Sequence, residues 1–443
     1  MSLFVWILRS LRTGFWALPA AMTLGAAVLA VVMISLDAEF GSALKSSATQ
    51  PFLVTAESAG RILSVIAGSM ITVTSLVFST TLIALTLAAT NIGPRLVERF
   101  MEDRVTQISL GVFVATFVYS LLVLRAVKGG EASPFIPHLA VNLALLMAIL
   151  SFGWLIFFIY RISGSLQTDK VVAQTGADFV CAIEDFASQG GGVADHAARG
   201  EFSDADTASW SHSTEIVADM SGYIRLINHS ALYEFAAEHD MCIEMLLRPG
   251  HFVLPTTPLV RLHSRDGELS QEAAKVIVQN VVVGETRTDA QDVEFLINMV
   301  VEVAARALSS GVNDFYSAIA CIDHLCHGLS VVLQKGMPPN LFYDGGEQSR
   351  IRLALRPNAF GNLADTAFNP IRQFGATNVP VSLRLLESLT LLCPCARSEE
   401  DRAVLAKHAK LVREAALEGA KPEADRDDIR RRYVACEEAL CAS

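Results

Sequence analysis

The sequence lacks the short motifs that mark most enzyme active sites. It contains no nucleophile elbow, no Walker loop, no glycine-rich dinucleotide loop and no His-Glu-x-x-His metal motif. Charged residues make up only 18% of the 443 residues, whereas 52% are hydrophobic. The sequence therefore gives no positive indication of catalysis, of a cofactor or of a metal site. Its composition also differs from that of an ordinary soluble enzyme.

Cysteine is absent from the first 180 residues, and all eight cysteines lie in the remainder of the chain. They lack the dense, regular spacing of a secreted disulfide scaffold, so we expect reduced thiols in a cytosolic domain. Residues 321–327 hold two cysteines and two histidines, which is the chemistry of a zinc site. On a helix, however, Cys326 points away from the face that Cys321 and His324 share. We predict that these side chains pack in a core.

Negative charge is scarce in the first part of the chain and abundant in the second. Residues 1–165 hold 10 Lys/Arg and 7 Asp/Glu, net +3, whereas residues 166–443 hold 25 and 39, net −14. An acidic surface repels phosphate backbones, and we find no basic patch along the sequence. We therefore expect a water-soluble second part and no nucleic-acid partner.

Four long hydrophobic runs in the first 160 residues contain no Asp, Glu, Lys or Arg; they are 17–36, 62–88, 108–124 and 138–160. A helix of about 20 apolar residues crosses the hydrocarbon core of a bilayer. The sequence therefore predicts a transmembrane four-helix domain over residues 1–165. Basic residues precede the first run (Arg9, Arg12), separate the second from the third (residues 95, 99 and 104) and follow the fourth (Arg161). Because basic loops stay cytoplasmic, both termini are predicted to be cytoplasmic.

The second run carries small or polar residues at helical spacing. At about 100° per residue, seven of them fall on one narrow stripe of a helix. These residues, called the polar stripe below, are Ser64, Gly68, Thr72, Ser75, Ser79, Thr86 and Thr90.

Small polar residues let membrane helices approach closely, so the polar stripe is interpreted first as a helix-packing face. The alternative is that it lines a narrow polar pathway in an oligomer. Either way we expect it to face protein or a pore and never lipid. The opposite side, with Ile66, Val73 and Val77, is expected to tolerate substitution better.

The remainder of the chain has an α+β pattern. Residues 166–212 are predicted to form a connecting helix and linker, and residues 285–443 a helical cytosolic domain. Between them, short apolar runs separated by tight turns predict a small β-barrel-like domain, a barrel or a sandwich, at 213–284, ending in a strand at 276–283. Its stretch 248–259, Arg-Pro-Gly-His-Phe-Val-Leu-Pro-Thr-Thr-Pro-Leu, resembles the turn-rich half of biotinyl/lipoyl-type barrels. Residues 215–263 contain no lysine, so carrier chemistry is not expected.

Several charged and amide residues lie where predicted helices begin and end. Carboxylates and an amide there suit a hard cation or a ligand, but the same groups cap helix ends and pair with one another. We favour the capping interpretation. The residues of this cap cluster are Arg287, Asp289, Asp292, Arg306, Asn313 and Asp314.

Three blocks together resemble a bacterial family of predicted membrane proteins classed only as a domain of unknown function. They are 69–119 in the membrane part, 285–292 (Glu-Thr-Arg-Thr-Asp-Ala-Gln-Asp) and 306–314 (Arg-Ala-Leu-Ser-Ser-Gly-Val-Asn-Asp). The family signature Ser-Pro-Gly-x-Asn-Asp-Pro has prolines where this chain has Ser310 and Phe315, a loss expected to loosen that turn. The resemblance implies an architecture in the bacterial inner membrane and no reaction.

Two function classes stay open. One is a homo-oligomeric channel or conductance regulator, in which the second span packs around an axis and the cytosolic part gates it. The other is a non-transporting scaffold or ligand sensor anchored in the bilayer. The sequence identifies no substrate, ion, protein partner or small ligand.

Overall fold

A computed structural model describes residues 16–40, 55–91, 104–127, 135–165, 168–188, 193, 196–208, 210–265, 271–345 and 350–442. The chain divides into two compact units, residues 1–168 and 169–443. The loop arginines at positions 9, 12, 95 and 99, which support the predicted orientation, lie outside the described residues.

Four helices form the described part of the first unit, and each contains one of the predicted hydrophobic runs. They are α1 (Ala17–Phe40), α2 (Ala56–Asn91), α3 (Arg104–Ala126) and α4 (His138–Ser165). Helix α3 packs against the other three, and its Phe113, Tyr119 and Val123 are fully buried. The core of this unit therefore forms around α3.

Polar side chains join α3 to α4 inside that core. Thr116 Oγ1 lies 3.0 Å from Ser151 Oγ, and the indole Nε1 of Trp154 donates to Ser109 Oγ at 2.9 Å. A hydroxyl removed from water is costly unless it finds a partner. These two pairs therefore help to set the rotation of α4 against α3.

Five described helices are long and apolar enough to cross a membrane, one more than predicted. The fifth is α10 (Phe315–Lys335) of the second unit, with a mean hydropathy of 1.3 where α1 to α4 have 2.0 to 2.4. Its 21 residues give it the length of a membrane span.

Two sheets lie in the second unit. The six-stranded sheet has the order β1-β8-β9-β4-β6-β2, with strands β1 (His196–Ala198), β2 (His212–Val217), β4 (Cys242–Met245), β6 (Pro258–Ser264), β8 (Leu341–Tyr343) and β9 (Ile351–Ala354). The three-stranded sheet has the order β5-β3-β7, with β3 (Gly222–Ile227), β5 (Phe252–Val253) and β7 (Val281–Gly284). Every described pairing is antiparallel except that of β4 with β9.

The barrel predicted for 213–284 is wrong, because the described strands form two separate sheets and no closed barrel. Strands β8 and β9 come from beyond residue 284, and their Phe342 and Leu353 share a core with Ile243. The strand predicted at 276–283 is wrong in its first half. There the chain forms α8 (Gln271–Gln279), whose Ala274, Ile277 and Val278 pack on the sheet core at helical spacing.

The remaining elements of the second unit are helical. They are α5 (Thr168–Ser188), the one-turn α6 (Asp204–Thr207), α7 (His229–Glu238), α9 (Val293–Ala307), α11 (Phe360–Gly375), α12 (Val379–Leu392), a 3₁₀ turn (Cys393–Cys395), α13 (Glu399–Gly419) and α14 (Glu423–Ala442). Helix α7 packs on β4 and β9, whereas α9 to α14 pack mainly on one another. Strands β8 and β9 interrupt the helices in the part of the chain beyond residue 285.

Helix α5 follows α4 in the chain and packs on α10 through two glycines. A Cβ at Gly176 would collide with the ring of His324, and a Cβ at Gly328 would collide with the ring of Phe179. Each glycine thus makes room for an aromatic ring of the facing helix, which allows the two helices to approach closely.

Candidate functional sites

The polar stripe lies on the outer surface of the first unit. Six of its members have described side chains, and all six are exposed; they are Ser64, Gly68, Thr72, Ser75, Ser79 and Thr86. The side chain of Thr90 lies outside the described residues. A Cβ placed on Gly68 would meet no atom within 4 Å. No described helix of the same chain therefore packs closely on the stripe at Gly68.

The opposite side of α2 is the face that packs in the chain. Leu63, Met70 and Val77 are almost completely buried there, at 0%, 1% and 1% exposure. The expectation that Val77 lies on a permissive side is wrong, because this face of α2 packs on α3 and α4 in the core of the unit. With about 100° between successive residues, the centre of the stripe points roughly opposite to that core.

Two hydroxyls of the stripe, those of Thr72 and Thr86, are satisfied within α2. Thr72 Oγ1 donates to the carbonyl of Gly68 at 3.1 Å, and Thr86 Oγ1 to that of Leu82 at 2.9 Å. Such bonds to the preceding turn need no outside partner. What the stripe offers a neighbouring surface is therefore small size together with modest polarity.

One part of the cap cluster lies at the start of α9. Asp292 is the N-cap: its Oδ1 accepts the backbone N–H of Phe295 at 3.0 Å, and its Oδ2 accepts Arg287 Nε at 2.7 Å. Burial raises the pKa of Asp292, although the Arg287 guanidinium acts in the opposite direction. Gly250, at φ 93°, brings the β4–β5 turn against this pair, since a Cβ there would collide with both side chains.

The other part lies at the far end of α9. Asp314 is the N-cap of α10 and accepts the backbone N–H of Ser317 at 3.1 Å. Arg306 pairs with Glu302 at 3.1 Å. At 1.5 Å per residue, Asp292 and Arg306 are about 21 Å apart along the helix. The six residues thus do not converge on one point. Both Asp292, which is buried, and Asp314, which is half-buried, show capping geometry, while Asp289 is exposed.

The turn between α9 and α10 remains hydrogen-bonded without the two prolines expected from the family signature. The backbone N–H groups of Asn313 and Asp314 donate to the carbonyls of Ser309 and Ala307 at 2.9 and 2.8 Å. Asn313 adopts a left-handed conformation at φ 49°, which asparagine tolerates better than most residues. These bonds close the turn at Ser310 and Phe315.

A cleft in the second unit lies beside the start of α9. About 640 Å³ of its space is not filled by protein atoms, and part of that is open to solvent. Its walls include Leu247, Phe342 and four prolines, with Arg248, Gln291 and Arg356 among its polar residues. Arg248 forms an ion pair with Glu294, the second residue of α9.

Three arginines surround the adjacent His251. Burial lowers the pKa of His251, and the charges of Arg248, Arg356 and Arg287 lower it further, while Glu294 opposes them. These arginines are 39 and 69 residues apart in sequence, so no basic patch was visible along the chain. The fold of the β4–β5 turn against α9 and the chain after β9 brings them together.

Metal coordination finds no support in the described ranges, where no three His, Cys, Asp or Glu side chains are grouped to hold an ion. Cys321 and Cys326 are buried, as the core-packing prediction requires. Burial raises the pKa of the Cys321 thiol to about 12 and that of Cys326 to about 11. Neither thiol is therefore poised as a thiolate ligand at neutral pH.

Most of the chain is similar to one known protein family. Residues 12–390 match the family described as "Predicted membrane protein (DUF2254)". This chain belongs to the DUF2254 family. The DUF2254 match covers both units, so the membrane helices and the mixed sheet occur together in one family architecture.

Curated relatives of this DUF2254 chain have no assigned activity. An uncharacterized protein of Mycobacterium tuberculosis (strain CDC 1551 / Oshkosh) and one of Mycobacterium bovis are each 26% identical to it over 438 residues. Each alignment covers 95% of this chain and 79% of the relative. No solved structure matches the chain.

Proposed function

We propose that this chain is a four-span membrane protein that assembles into a homo-oligomeric channel, with the polar stripe of α2 directed at neighbouring copies around a narrow pore. The observation that carries the proposal is the position of the stripe on the outer surface, opposite the face that packs in the chain. Rotational symmetry would bring the stripes of all copies to one axis.

The composition of the stripe suits a narrow, uncharged pathway. Its hydroxyls offer oxygen atoms to a permeating species, whereas its glycine and serines keep the helices close. Large exposed apolar residues flank it, among them Val65, Leu76 and Ile83. In a ring of helices these side chains would seal the contacts between neighbours. Ion coupling by a buried carboxylate would not be expected within the stripe.

The proposal of four spans rather than five depends on helix α10 of the second unit. Helix α10 is less apolar than α1 to α4, and it packs on α9, α11 and α12. Its Asp323 also forms an ion pair with Arg384 of α12 at 2.5 Å. The other helices of the second unit thus cover the apolar residues of α10, so they do not have to be covered by lipid. In the proposed topology only α1 to α4 cross the bacterial inner membrane, and both termini and the second unit are cytoplasmic.

The cleft favours a second candidate function, a membrane-anchored ligand sensor that transports nothing. A concave site with apolar walls and a few polar groups is the usual form of a small-molecule site. In the channel proposal the same cleft would regulate conductance. Flux separates the two, because a sensor without a pathway would bind its ligand and conduct nothing.

Assembly and flux test the channel proposal directly. Ser75→Trp should reduce the oligomer mass in lipid nanodiscs, or block ion flux in liposomes, because it places a bulky ring on the stripe. Ile156→Trp is the matched control, since Ile156 is 71% exposed on α4 and lies outside the stripe. Val77→Trp is unsuitable because Val77 is buried. Equal tolerance of Ser75→Trp and Ile156→Trp would contradict the proposal, as would a monomeric wild type.

Cysteine labelling tests the topology in a variant without the eight native cysteines. A cysteine at Ser133 should react with a membrane-impermeant reagent added outside the cell. Cysteines at Arg99 and at Ser443 should react only after the membrane is opened. The reverse pattern would invert the proposed orientation, whereas labelling of Arg99 and Ser443 from opposite sides would rule out four spans.

A further inference from the structure

Charge is distributed unevenly around the cleft of the second unit. Its sixteen lining residues include two arginines and no Asp or Glu, although residues 166–443 carry a net charge of −14. Burial lowers the pKa of the lining residue His229 to about 4, so its ring is neutral at neutral pH. The cleft is therefore a local positive region of an acidic unit.

Arg356 supplies the positive charge that is not already balanced. Arg248 pairs with Glu294, and Arg287 pairs with Asp292. Arg356 instead donates Nη1 to the carbonyl of Leu246 at 2.8 Å and has no carboxylate partner within the described part of the chain. That bond anchors the guanidinium beside the cleft while its other N–H groups remain available to a ligand. A guanidinium held in this way suits a carboxylate, which it can bind with two parallel hydrogen bonds.

The remaining wall is apolar and offers one unused acceptor. The prolines at 249, 338, 339 and 357 contribute a rigid surface with little side-chain freedom to lose, and Leu247 and Met337 add apolar area. The buried Oδ1 of Asn358 accepts no hydrogen bond from any described residue. A buried acceptor of this kind is costly unless a partner reaches it. Asn358 lines the cleft, so a rotation of its amide would present this oxygen to a hydroxyl or amide N–H of a ligand.

We propose that this cleft binds a small organic acid whose apolar body lies against the proline-rich wall and whose carboxylate pairs with Arg356. Phe186, near the end of α5, lines the same cleft. A ligand in the cleft would therefore contact α5, the helix that follows α4 in the chain. The site does not depend on conduction, and it would exist in a channel or in a sensor.

Fluorine NMR of the full chain in lipid nanodiscs tests the site, with trifluoromethylbenzoate as the probe and empty nanodiscs as the blank. The matching neutral probe is trifluoromethylbenzamide. We expect the fluorine signal of trifluoromethylbenzoate to broaden on binding and to sharpen again when unlabelled benzoate displaces the probe. Trifluoromethylbenzamide should bind at least about ten-fold more weakly. Inorganic phosphate should displace the benzoate poorly, because it lacks the apolar body.

Two variants locate the binding. Arg356→Gln should weaken benzoate binding about ten-fold, since it removes one charge-assisted pair, and Met337→Trp should weaken it by filling the cleft. The control Arg397→Gln makes the same charge change at another exposed position. Benzoate binding that survives both cleft variants, or that falls equally with Arg397→Gln, would overturn the proposal. Equal binding of benzoate and benzamide, or full displacement by phosphate, would overturn the ligand class.

Discussion

The carboxylate of Asp37, near the end of α1, accepts the backbone N–H of Ala140 at 2.9 Å, in the first turn of α4. It also accepts the N–H of Leu139 at 3.0 Å, so a side chain 102 residues away satisfies two donors that the start of a helix leaves open. Tyr119 of α3 donates its hydroxyl to the carbonyl of Ala140 at 3.2 Å. Two helices, α1 and α3, therefore meet at one residue of α4.

Asp37→Ala should destabilise the first unit by about 1–2 kcal/mol, because the start of α4 loses its acceptor and stays buried. Asp37→Asn, which keeps one acceptor oxygen, should cost less. Glu39→Ala is the control, since Glu39 is exposed two residues further on. Thermal unfolding of the full chain in nanodiscs measures the difference. Equal effects of Asp37→Ala and Glu39→Ala would contradict the capping role.

Gly328→Ala should destabilise the second unit by about 1–3 kcal/mol, since the new methyl group collides with the ring of Phe179 and forces α5 away from α10. Gly311→Ala is the matched control, because a Cβ there meets no atom within 4 Å. Unfolding in urea, followed by circular dichroism, compares the two variants. If Gly328→Ala is as mild as Gly311→Ala, the close contact of α5 with α10 does not exist.

Asp292→Ala should cost about 2–3 kcal/mol, since it uncaps α9 and leaves Arg287 without its carboxylate. Asp289→Ala should change stability by about 0.5 kcal/mol or less, as an exposed surface change. The two free energies of unfolding separate a structural role from a chemical one. A variant of Asp292 that is fully stable but loses a specific turnover would instead make this residue part of an active site.

His408 should make the second unit less stable in acid. Burial lowers its pKa from 6.5 to about 4, although the Asp365 carboxylate, 3.2 Å from its Nε2, acts in the opposite direction. The unfolded chain therefore binds a proton at a pH where the folded chain does not. The stability of the neutral ring is present above pH 6.5 and is lost as the pH falls from 6.5 towards 4.

The size of this loss is about 3 kcal/mol from the pKa difference. Urea unfolding at about pH 7 and about pH 4.5 measures it in the wild type and in His408→Leu. The variant should lose less stability between the two values. His229, His251 and His324 also have lowered pKa values, so part of the wild-type loss should remain. An identical loss in both proteins would exclude His408 as a source.

Local sequence patterns predicted the elements whose identity depends on their own residues. The four hydrophobic runs are helices, because an α-helix in lipid forms all its backbone hydrogen bonds within its own segment. The six stripe residues with described side chains are exposed on one side of α2, and the residues at 292 and 314 are N-caps of helices.

Tertiary structure alone decided which surfaces meet. Spacing shows that two faces of α2 differ, but only its packing on α3 and α4 shows that Val77 is covered and Ser75 is not. The residues of a strand do not show which other strand it will pair with. The sequence therefore did not predict that β4 pairs with β9, more than a hundred residues away, in a sheet that is not a barrel. The cleft also depends on that sheet. Arg248 follows β4 and Arg356 follows β9, so the pairing of these two strands brings both arginines to the cleft.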